Sequence, residues 1–420
     1  MFEVLVVNKK FSADITINLM EISPLAKLWI GVLALTLAGC VGPPALHKSV
    51  LGYDETTNRL EQEILLLNIA RLSHEHAVHF TMTGSIAATF DFTTSGNFSG
   101  SIVTSPGDNI FNFGMSASAS ENPTLSIIPL SGQDFTKRVI TPISENAFAK
   151  LGYQDLPISI IMRLMASSIQ LEDPKGGSRV GFMRNNIKHP EEYATFRRFV
   201  MHLESLQMEN QLFVHHLIFR KVIWDDVKEP WTQDPPDLEQ ATTLGMRWDR
   251  NKDGTYKLSR RKKGRVLVSN YDQRILTDEE HDVLNEMANR QPDNYVMVDI
   301  REGYPGGEFP LFGTIKLRSF FHMLQSVSNG VGGRQQDLQI DIAPDPRTRG
   351  KIEYNPRQTL TIIVSDTAPS DDVLNIQYKG RYYSIGDSSW DRTAFMLLNG
   401  LFQMTVSDVS DAGIPINISK

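Results

Sequence analysis

The chain is poor in the features that mark several large classes of protein. It has 420 residues and a single cysteine, so no disulfide can form within it. Lys and Arg number 42 against 49 Asp and Glu, which leaves a net charge of -7 and no positive excess to attract nucleic acid. Charged residues at 22% and hydrophobic residues at 41% are the proportions of a globular protein. The composition excludes a disulfide scaffold and a disordered chain, and we expect no nucleic-acid partner.

The motifs of several common enzyme classes are also missing. Neither the Gly-x-Ser-x-Gly of serine hydrolases nor either glycine-rich phosphate-binding loop occurs in the chain. A pair of carboxylates brought together by the fold would leave no such motif, so an envelope hydrolase remains one hypothesis. We expect no cofactor and name no catalytic residue.

The segment before the cysteine is typical of an export signal. Lys27 precedes an apolar run from Leu28 to Leu37, and only Ala38 and Gly39 separate this run from Cys40. A positive residue, an apolar run and small residues before a cleavage point are the three zones of a secretory signal peptide. The run is shorter than the ~20 residues that a transmembrane helix needs. The pattern therefore predicts a signal peptide.

The four residues Leu37-Ala38-Gly39-Cys40 resemble the lipobox of bacterial lipoproteins. The resemblance implies cleavage between Gly39 and Cys40, a thioether diacylglycerol on Cys40 and usually an amide-linked third chain. Two or more acyl chains, at ~0.8 kcal/mol per buried CH₂, hold a protein durably on a membrane. Lipoproteins retained at the inner membrane tend to have Asp after the cysteine, whereas this chain has Val41. The resemblance thus implies a lipid anchor at the periplasmic side of the outer membrane.

The position of Met20 suggests where the signal peptide starts. Signal peptides normally begin with their positively charged region, and a start at Met20 provides one. We therefore predict that residues 1–19 are an upstream extension and residues 20–39 are the signal peptide. Residues 40–53, which include two consecutive prolines, are predicted to form a short tether.

The mature chain alternates between helical and strand-like patterns and predicts an α+β fold. An N-terminal α+β domain is expected over 54–229, with its longest helix over 190–222. Three prolines between 230 and 236 mark a boundary, after which a middle α+β region is predicted over 237–342. The remainder, 351–420, is predicted as a small strand, hairpin and helix unit. We expect mixed helices and antiparallel hairpins throughout.

Residues 79–130 are rich in Ser, Thr and Gly, with apolar residues at alternate positions. A period of two predicts strands, and the turn residues between the two runs predict one long hairpin. Alternation of apolar and small polar residues is also what a membrane-spanning hairpin contributes to a pore built from several copies. Soluble, half-buried strands give the same pattern. In the membrane alternative, the residues facing lipid would be Phe90, Phe92, Phe111, Phe113 and Met115.

Three nearby histidines, His74, His76 and His79, are the candidates for a metal site. A strand would place His74 and His76 on one face, where they could bind zinc with a third ligand from elsewhere. The order differs from the His-Glu-x-x-His of helical zinc sites, and a polar connection between a helix and a strand explains the same residues. We therefore expect no resident metal.

One basic run is a candidate surface for an anionic partner. It could bind lipid phosphates, a lipopolysaccharide headgroup, peptidoglycan carboxylates or an acidic protein, and a solvated hairpin tip would also explain it. Tyr256 and Tyr271 stand outside the run, so the aromatic interleaving typical of single-stranded nucleic-acid binding is missing. The residues of the run are Arg260, Arg261, Lys262, Lys263 and Arg265.

These observations favour a non-catalytic lipoprotein that serves as a structural or assembly component of a cell-envelope complex. The segments Leu66–Leu72 and Tyr378–Ile385 resemble those of uncharacterised proteobacterial envelope proteins, which implies no activity. The expected partners are the membrane, through acyl chains on Cys40, and other envelope proteins. The alternatives are an oligomeric outer-membrane export or pore component that inserts residues 80–128, and an envelope hydrolase.

Overall fold

The computed structural model describes residues 42–101, 110–154, 156–173, 179–228, 245–333, 356–406 and 416–418. These residues form an α+β fold with eight α-helices and three β-sheets, as the sequence predicts. None of the described helices is long and apolar enough to cross a membrane. The chain divides into two compact units, the first comprising Met1–Ile64, His79–Leu130 and Asp411–Lys420, the second Leu65–Val78 and Ser131–Ser410.

The elements follow one another in a mixed order along the chain. The helices are α1 (Gly42–Ser73), α2 (Gln133–Ile140), α3 (Glu145–Gly152), α4 (Ile158–Met165), α5 (Pro190–Met208), α6 (Asp278–Asn289), α7 (Phe320–Ser328) and α8 (Ser389–Val406). The strands are β1 (Phe80–Ser101), β2 (Ile110–Leu130), β3 (Ala166–Glu172), β4 (Arg179–Arg184), β5 (Phe213–Val227), β6 (Met246–Arg250), β7 (Tyr256–Ser269), β8 (Tyr295–Ile300), β9 (Leu311–Leu317), β10 (Ile362–Ser365), β11 (Asn375–Tyr378), β12 (Arg381–Ile385) and β13 (Ile416–Ile418).

The first unit contains one long antiparallel ribbon. Strands β1 and β2 pair from Phe80 opposite Leu130 to Ser101 opposite Ile110, with one irregularity near Thr83. The short strand β13 pairs with the other edge of β2. Antiparallel pairing of these two strands is the arrangement that the predicted hairpin requires, and its turn lies outside the described residues.

The second unit is built on a seven-stranded mixed sheet. Its order is β4-β3-β9-β8-β7-β5, and β6 pairs with the outer part of β7. All neighbours are antiparallel except β7 and β8, which are parallel. The β5, β7 and β8 side chains Leu217, Leu267 and Met297 pack with Leu284 and Ala288 of α6 in a hydrophobic core. The part of the long β5–β7 pair that contains Leu217 and Leu267 is packed in this core.

The C-terminal elements do not form the separate unit predicted for 351–420, because β10, β11, β12 and α8 belong to the second unit and β13 belongs to the first. Strands β10, β12 and β11 form a small sheet whose hairpin turns at Lys379-Gly380, both at positive φ, as a tight two-residue turn requires. Ser388 accepts a hydrogen bond from the Asp391 amide at the start of α8 and so caps this helix. Helix α8 then packs against α2, α4 and α7. This packing explains why residues 356–406 do not stand alone.

Two further predicted boundaries are wrong. The helix expected over 190–222 ends at Met208, because Asn210 has a positive φ and the chain continues as β5, which is rich in β-branched and aromatic residues. The predicted tether over 40–53 is mostly helix, since α1 begins at Gly42.

The domain boundary predicted after residue 229 is not supported. The prolines between 230 and 236 lie outside the described residues, but β5 before them and β6 after them both pair with β7. The sheet therefore contains strands from the predicted N-terminal domain and from the predicted middle region. Prolines interrupt a sheet connection as readily as a linker, so their sequence pattern did not distinguish the two.

Candidate functional site

The predicted lipidation and cleavage residues, Cys40 and Gly39, lie outside the described residues, as does the signal segment 20–39. The prediction of a lipid anchor therefore still depends on the sequence. The other candidates lie in described segments, and each can be located.

His74 and His76 lie at the end of α1 and contact the β11–β12 hairpin. His74 Nε2 lies 2.8 Å from the Tyr383 hydroxyl, and His76 Nδ1 is hydrogen bonded to the Tyr378 hydroxyl. Lys379 Nζ lies 3.2 Å from His76 Nε2. A neutral His76 with its proton on Nδ1 satisfies both contacts, since the ammonium can only donate. The two imidazoles therefore serve a hydrogen-bonded cluster that ties α1 to the hairpin.

This cluster does not form a metal centre in the described part of the chain. Its additional members are phenols and an ammonium group, which are not zinc ligands of the usual kind. Among the described residues, which include His79, no group of three or more His, Cys, Asp or Glu side chains is placed to hold a metal ion.

The basic run lies within strand β7 and is not a hairpin tip. Arg261, Lys262 and Lys263 are exposed, and Arg260 is half-buried. Gly264 follows with its backbone against α6, where a Cβ would lie 2.0 Å from the Asn285 carboxamide oxygen. The strand enters the core at this point, so the exposed surface ends at Lys263.

Arg265 is buried and does not belong to the anionic-partner surface predicted for it. Its side chain is ion paired with Glu145, at 2.7 Å between Nε and Oε1. The guanidinium also donates to four backbone carbonyls between the last turn of α6 and the start of β8, those of Ala288, Gln291, Pro292 and Tyr295. This arrangement joins α3, α6 and β7, and its role is structural.

A polar pocket of about 510 Å³ lies at the other end of the seven-stranded sheet. It is formed by β3, β4, β9, the start of α7 and the segment 358–360. No Asp or Glu is found among the described residues that line it. The basic residues of this lining are Arg184, Lys316, Arg318 and His322.

Arg318 is the most deeply placed of these cations, with 8% of its surface exposed. Its Nη1 donates to the carbonyl oxygens of Arg163 and Leu164, at the C-terminal end of α4, and to the Ser326 hydroxyl at 3.0 Å. Its Nη2 donates to the Asn185 carbonyl. These acceptors are neutral, and within the described residues no carboxylate is ion paired with Arg318. Burial lowers the pKa of Arg318 to about 10.

The charge of Arg184, by contrast, is compensated. Its Nη1 lies 3.1 Å from the Glu192 carboxylate. Arg318 is therefore the buried cation of this lining whose charge a bound anion would neutralise. Lys316, which is exposed and forms no ion pair with a described residue, is a second cation of the lining. The pocket has the chemistry to bind a carboxylate or phosphate group.

The pocket also contains one serine and histidine in contact. Ser319 Oγ lies 3.2 Å from His322 Nδ1 and accepts a hydrogen bond from the His322 amide. The contact joins residues three apart at the start of α7, where Ser319 is the helix cap. No acid among the described pocket residues orients this imidazole. The pair is explained by helix capping, and the pocket is better suited to binding than to hydrolysis.

Phosphate is expected to stabilise the protein through this pocket. A ligand that binds only the folded state at about ten times its Kd adds roughly 1.4 kcal/mol to the free energy of unfolding. We expect thermal unfolding to shift upward in phosphate relative to chloride at equal ionic strength. Phosphate also stabilises folded proteins without binding to a site, because it is excluded from their surface. Arg318→Met measures this general effect, since the variant should lose only the part of the thermal shift that comes from phosphate bound in the pocket. Arg290→Met, an exposed change on α6, should retain it; equal shifts in all three proteins would contradict the assignment.

This pocket could not be predicted from the sequence because its residues come from distant segments. Arg184, Arg318 and Gln358 carry no motif, and only the fold brings them together. The one local signal was Ser319 before an apolar run, which indicates a helix start but no ligand.

No protein-family model, no curated protein and no solved structure matches this chain. The function must be argued from its own residues.

Proposed function

We propose that the protein is a lipoprotein of the bacterial cell envelope, anchored by acyl chains on Cys40, that acts as a structural or assembly component. The observation that carries the proposal is the export signal that ends in Leu37-Ala38-Gly39-Cys40. The location that this signal implies is the periplasmic side of the outer membrane.

The start of α1 supports an anchored role. Helix α1 begins at Gly42, two residues after Cys40. Two residues span at most ~7 Å, so the first turn of α1 would lie close to the acylated residue and therefore to the lipid headgroups. Such confinement raises the effective concentration of the protein for other envelope components, and weak interfaces then suffice for assembly.

The chemistry of the described sites supports a binding role. The donor-rich pocket around Arg318 can hold an anionic group of a partner. His74 and His76, which the sequence suggested as candidate metal ligands, are hydrogen bonded to tyrosines. These arrangements favour recognition over group transfer.

Replacing Cys40 with Ser tests the anchor. In fractionated cells, the wild-type protein should stay with membranes through a high-salt wash and be released by detergent. The Cys40→Ser protein should accumulate as the full-length precursor, because the thioether cannot form. Thr36→Ser, a conservative change inside the apolar run, should behave as wild type. Normal processing and detergent-dependent release of the Cys40→Ser protein would overturn the proposal.

A second candidate function is favoured by the register of the β1–β2 ribbon. Residues directly opposite each other in an antiparallel pair lie on the same face. Phe98 lies opposite Phe113, and Phe92 lies opposite Ala119. The apolar alternations of the two strands therefore occupy matching positions, as one apolar side of the ribbon requires.

The length of this ribbon points to a further partner. Strand β1 has 22 residues, whereas a membrane-spanning strand needs about 9 to 11. A two-stranded ribbon is only marginally stable in water, and β13 extends the pairing for three residues. In the described residues, most of the ribbon has no third strand. This observation favours an oligomeric export or pore component in which copies of the ribbon pair with one another.

A further inference from the structure

The outer half of the β5–β7 pair forms an arm of the seven-stranded sheet. Strand β8 pairs with β7 only from Leu267 to Ser269, while β5 continues along β7 as far as Val227 opposite Tyr256. Over Tyr256–Arg260 the other edge of β7 is paired with β6. The arm is therefore a three-stranded antiparallel sheet in the order β5-β7-β6.

The register collects cations and large apolar residues on one face of this arm. Alternate residues of β7 lie on the same face, and the residues opposite them in β5 and β6 share it. Lys262 lies opposite Phe219, and Arg260 lies opposite both Lys221 and Met246. Leu258, the next residue of this face along β7, lies between two tryptophans. We call this set the basic–aromatic face: Phe219, Lys221, Trp224, Met246, Trp248, Leu258, Arg260 and Lys262.

Most side chains of this face are exposed or half-buried although many are apolar, and Leu258 alone among them is buried. The Trp224 and Trp248 rings lie 6.2 Å apart, on either side of the buried Leu258. Trp224 is 38% exposed, and its neighbour Ile223, in an irregular part of the strand, is 41% exposed. A large exposed apolar group next to cations is a feature of binding surfaces.

The cations on the two faces of the arm differ in whether they form ion pairs. On the opposite face, Arg220 and Arg247 are ion paired with Asp278 at the start of α6. On the basic–aromatic face, Lys221, Arg260 and Lys262 form no ion pair with any described residue. The exposed acids nearest in sequence, Asp225 and Asp226, lie at the far end of β5. Within the described residues, the face therefore offers three positive charges without an ion-pair partner beside two indoles.

This combination fits the surface of an anionic bilayer. Lys and Arg near such a surface are attracted to lipid phosphates, and three of them together strengthen binding about a hundredfold. Tryptophan favours the boundary between headgroups and acyl chains, because its ring is apolar and its N–H is polar. A single polypeptide patch of this kind combines with acyl chains to give durable attachment.

We propose that the basic–aromatic face docks the second unit onto anionic phospholipid headgroups. The inference rests on the proposed anchoring in one respect: acyl chains on Cys40 would hold the protein at a membrane. The docking itself depends only on the arm. An acidic protein is the competing occupant, and the experiment below separates it from lipid.

The test uses full-length Cys40→Ala protein and compares vesicles of phosphatidylcholine with vesicles that also contain phosphatidylglycerol. All proteins compared keep residues 1–39, so the readout is the difference in binding between the two vesicle types. We expect phosphatidylglycerol to increase binding and added salt to reverse the increase. The triple variant Lys221→Glu, Arg260→Glu, Lys262→Glu should lose about a hundredfold in affinity for the anionic vesicles.

The matched control reverses three charges on the opposite face, Lys257→Glu, Arg261→Glu and Lys263→Glu. This variant has the same net charge as the first and should keep its affinity within a few-fold. Unfolding midpoints close to that of the parent protein establish that both variants are folded. Equal losses in both variants would overturn the proposal, because the effect would then follow net charge. Binding independent of phosphatidylglycerol would overturn it in favour of an acidic protein partner.

The two proposals fail separately. Cys40 is absent from every protein in the vesicle experiment, so its outcome does not depend on acylation. The fractionation of Cys40→Ser cells, in turn, leaves the arm unchanged.

Discussion

Replacing Arg265 with Ala is expected to lower the free energy of unfolding by about 3 to 5 kcal/mol, because one partner of a buried ion pair is removed and the other remains. Arg265 and Glu145 have side chains only 10% and 7% exposed. Without the guanidinium, the carboxylate of Glu145 and four carbonyl oxygens near the end of α6 lose their donor. Urea unfolding monitored by circular dichroism measures the loss.

Two further variants separate this ion pair from the rest of the basic run. Arg261→Ala, four residues away on the exposed part of β7, should change stability by less than about 0.5 kcal/mol. Combining Glu145→Gln with Arg265→Ala should cost less than the sum of the single changes, since the contact is shared. If Arg265→Ala were as mild as Arg261→Ala, the burial of Arg265 described above would be contradicted.

Shortening the β1–β2 ribbon is expected to abolish oligomers if the ribbon assembles between copies. Ala87 lies opposite Thr124, so a two-residue Asn-Gly turn can join them in place of the residues between. The pairing of β2 with β13 is retained, because it involves only Leu125–Ile127 of β2. In detergent the wild-type protein should run as a heat-resistant oligomer and the shortened protein as a monomer.

The same pair of proteins distinguishes the two candidate functions. If the wild-type protein is monomeric in detergent, the hypothesis of an oligomeric export component is excluded. The hypothesis of an anchored assembly component is then favoured. An oligomer that survives shortening would place the contact elsewhere. The free energy of unfolding of the second unit serves as the control, because the shortening leaves the sequence of that unit unchanged.

Short patterns in the sequence indicate the helices and strands whose formation depends on interactions between neighbouring residues. The capping box of Thr277 and Glu280 begins α6, and the run Tyr295–Ile300 forms β8. In each case the signal lies within a few residues: a hydroxyl and a carboxylate bonded to nearby amides, or a run of apolar β-formers. The α+β class follows from the sum of such signals.

The arrangement of these elements depends on contacts that no local pattern contains. The tyrosine partners of His74 and His76 come from the β11–β12 hairpin, more than 300 residues away in sequence. In β7, Lys263 and Arg265 are only two residues apart. Lys263 is exposed and Arg265 is buried, because α6 covers the side chain of Arg265 and leaves that of Lys263 in solvent. The basic run of β7 has no interleaved aromatic residue in the sequence, whereas β5 and β6 place Trp224 and Trp248 opposite Leu258 of the same strand. Charge and aromatic patterns across a sheet become visible only with its register.

Mass spectrometry of the N-terminal peptide, from protein purified out of native membranes, tests the lipid anchor most directly. Trypsin should release a peptide that spans Cys40–Lys48 and carries the added mass of a diacylglycerol group and a further acyl chain. An unmodified peptide spanning Leu28–Lys48, which crosses the predicted cleavage point, would contradict the account.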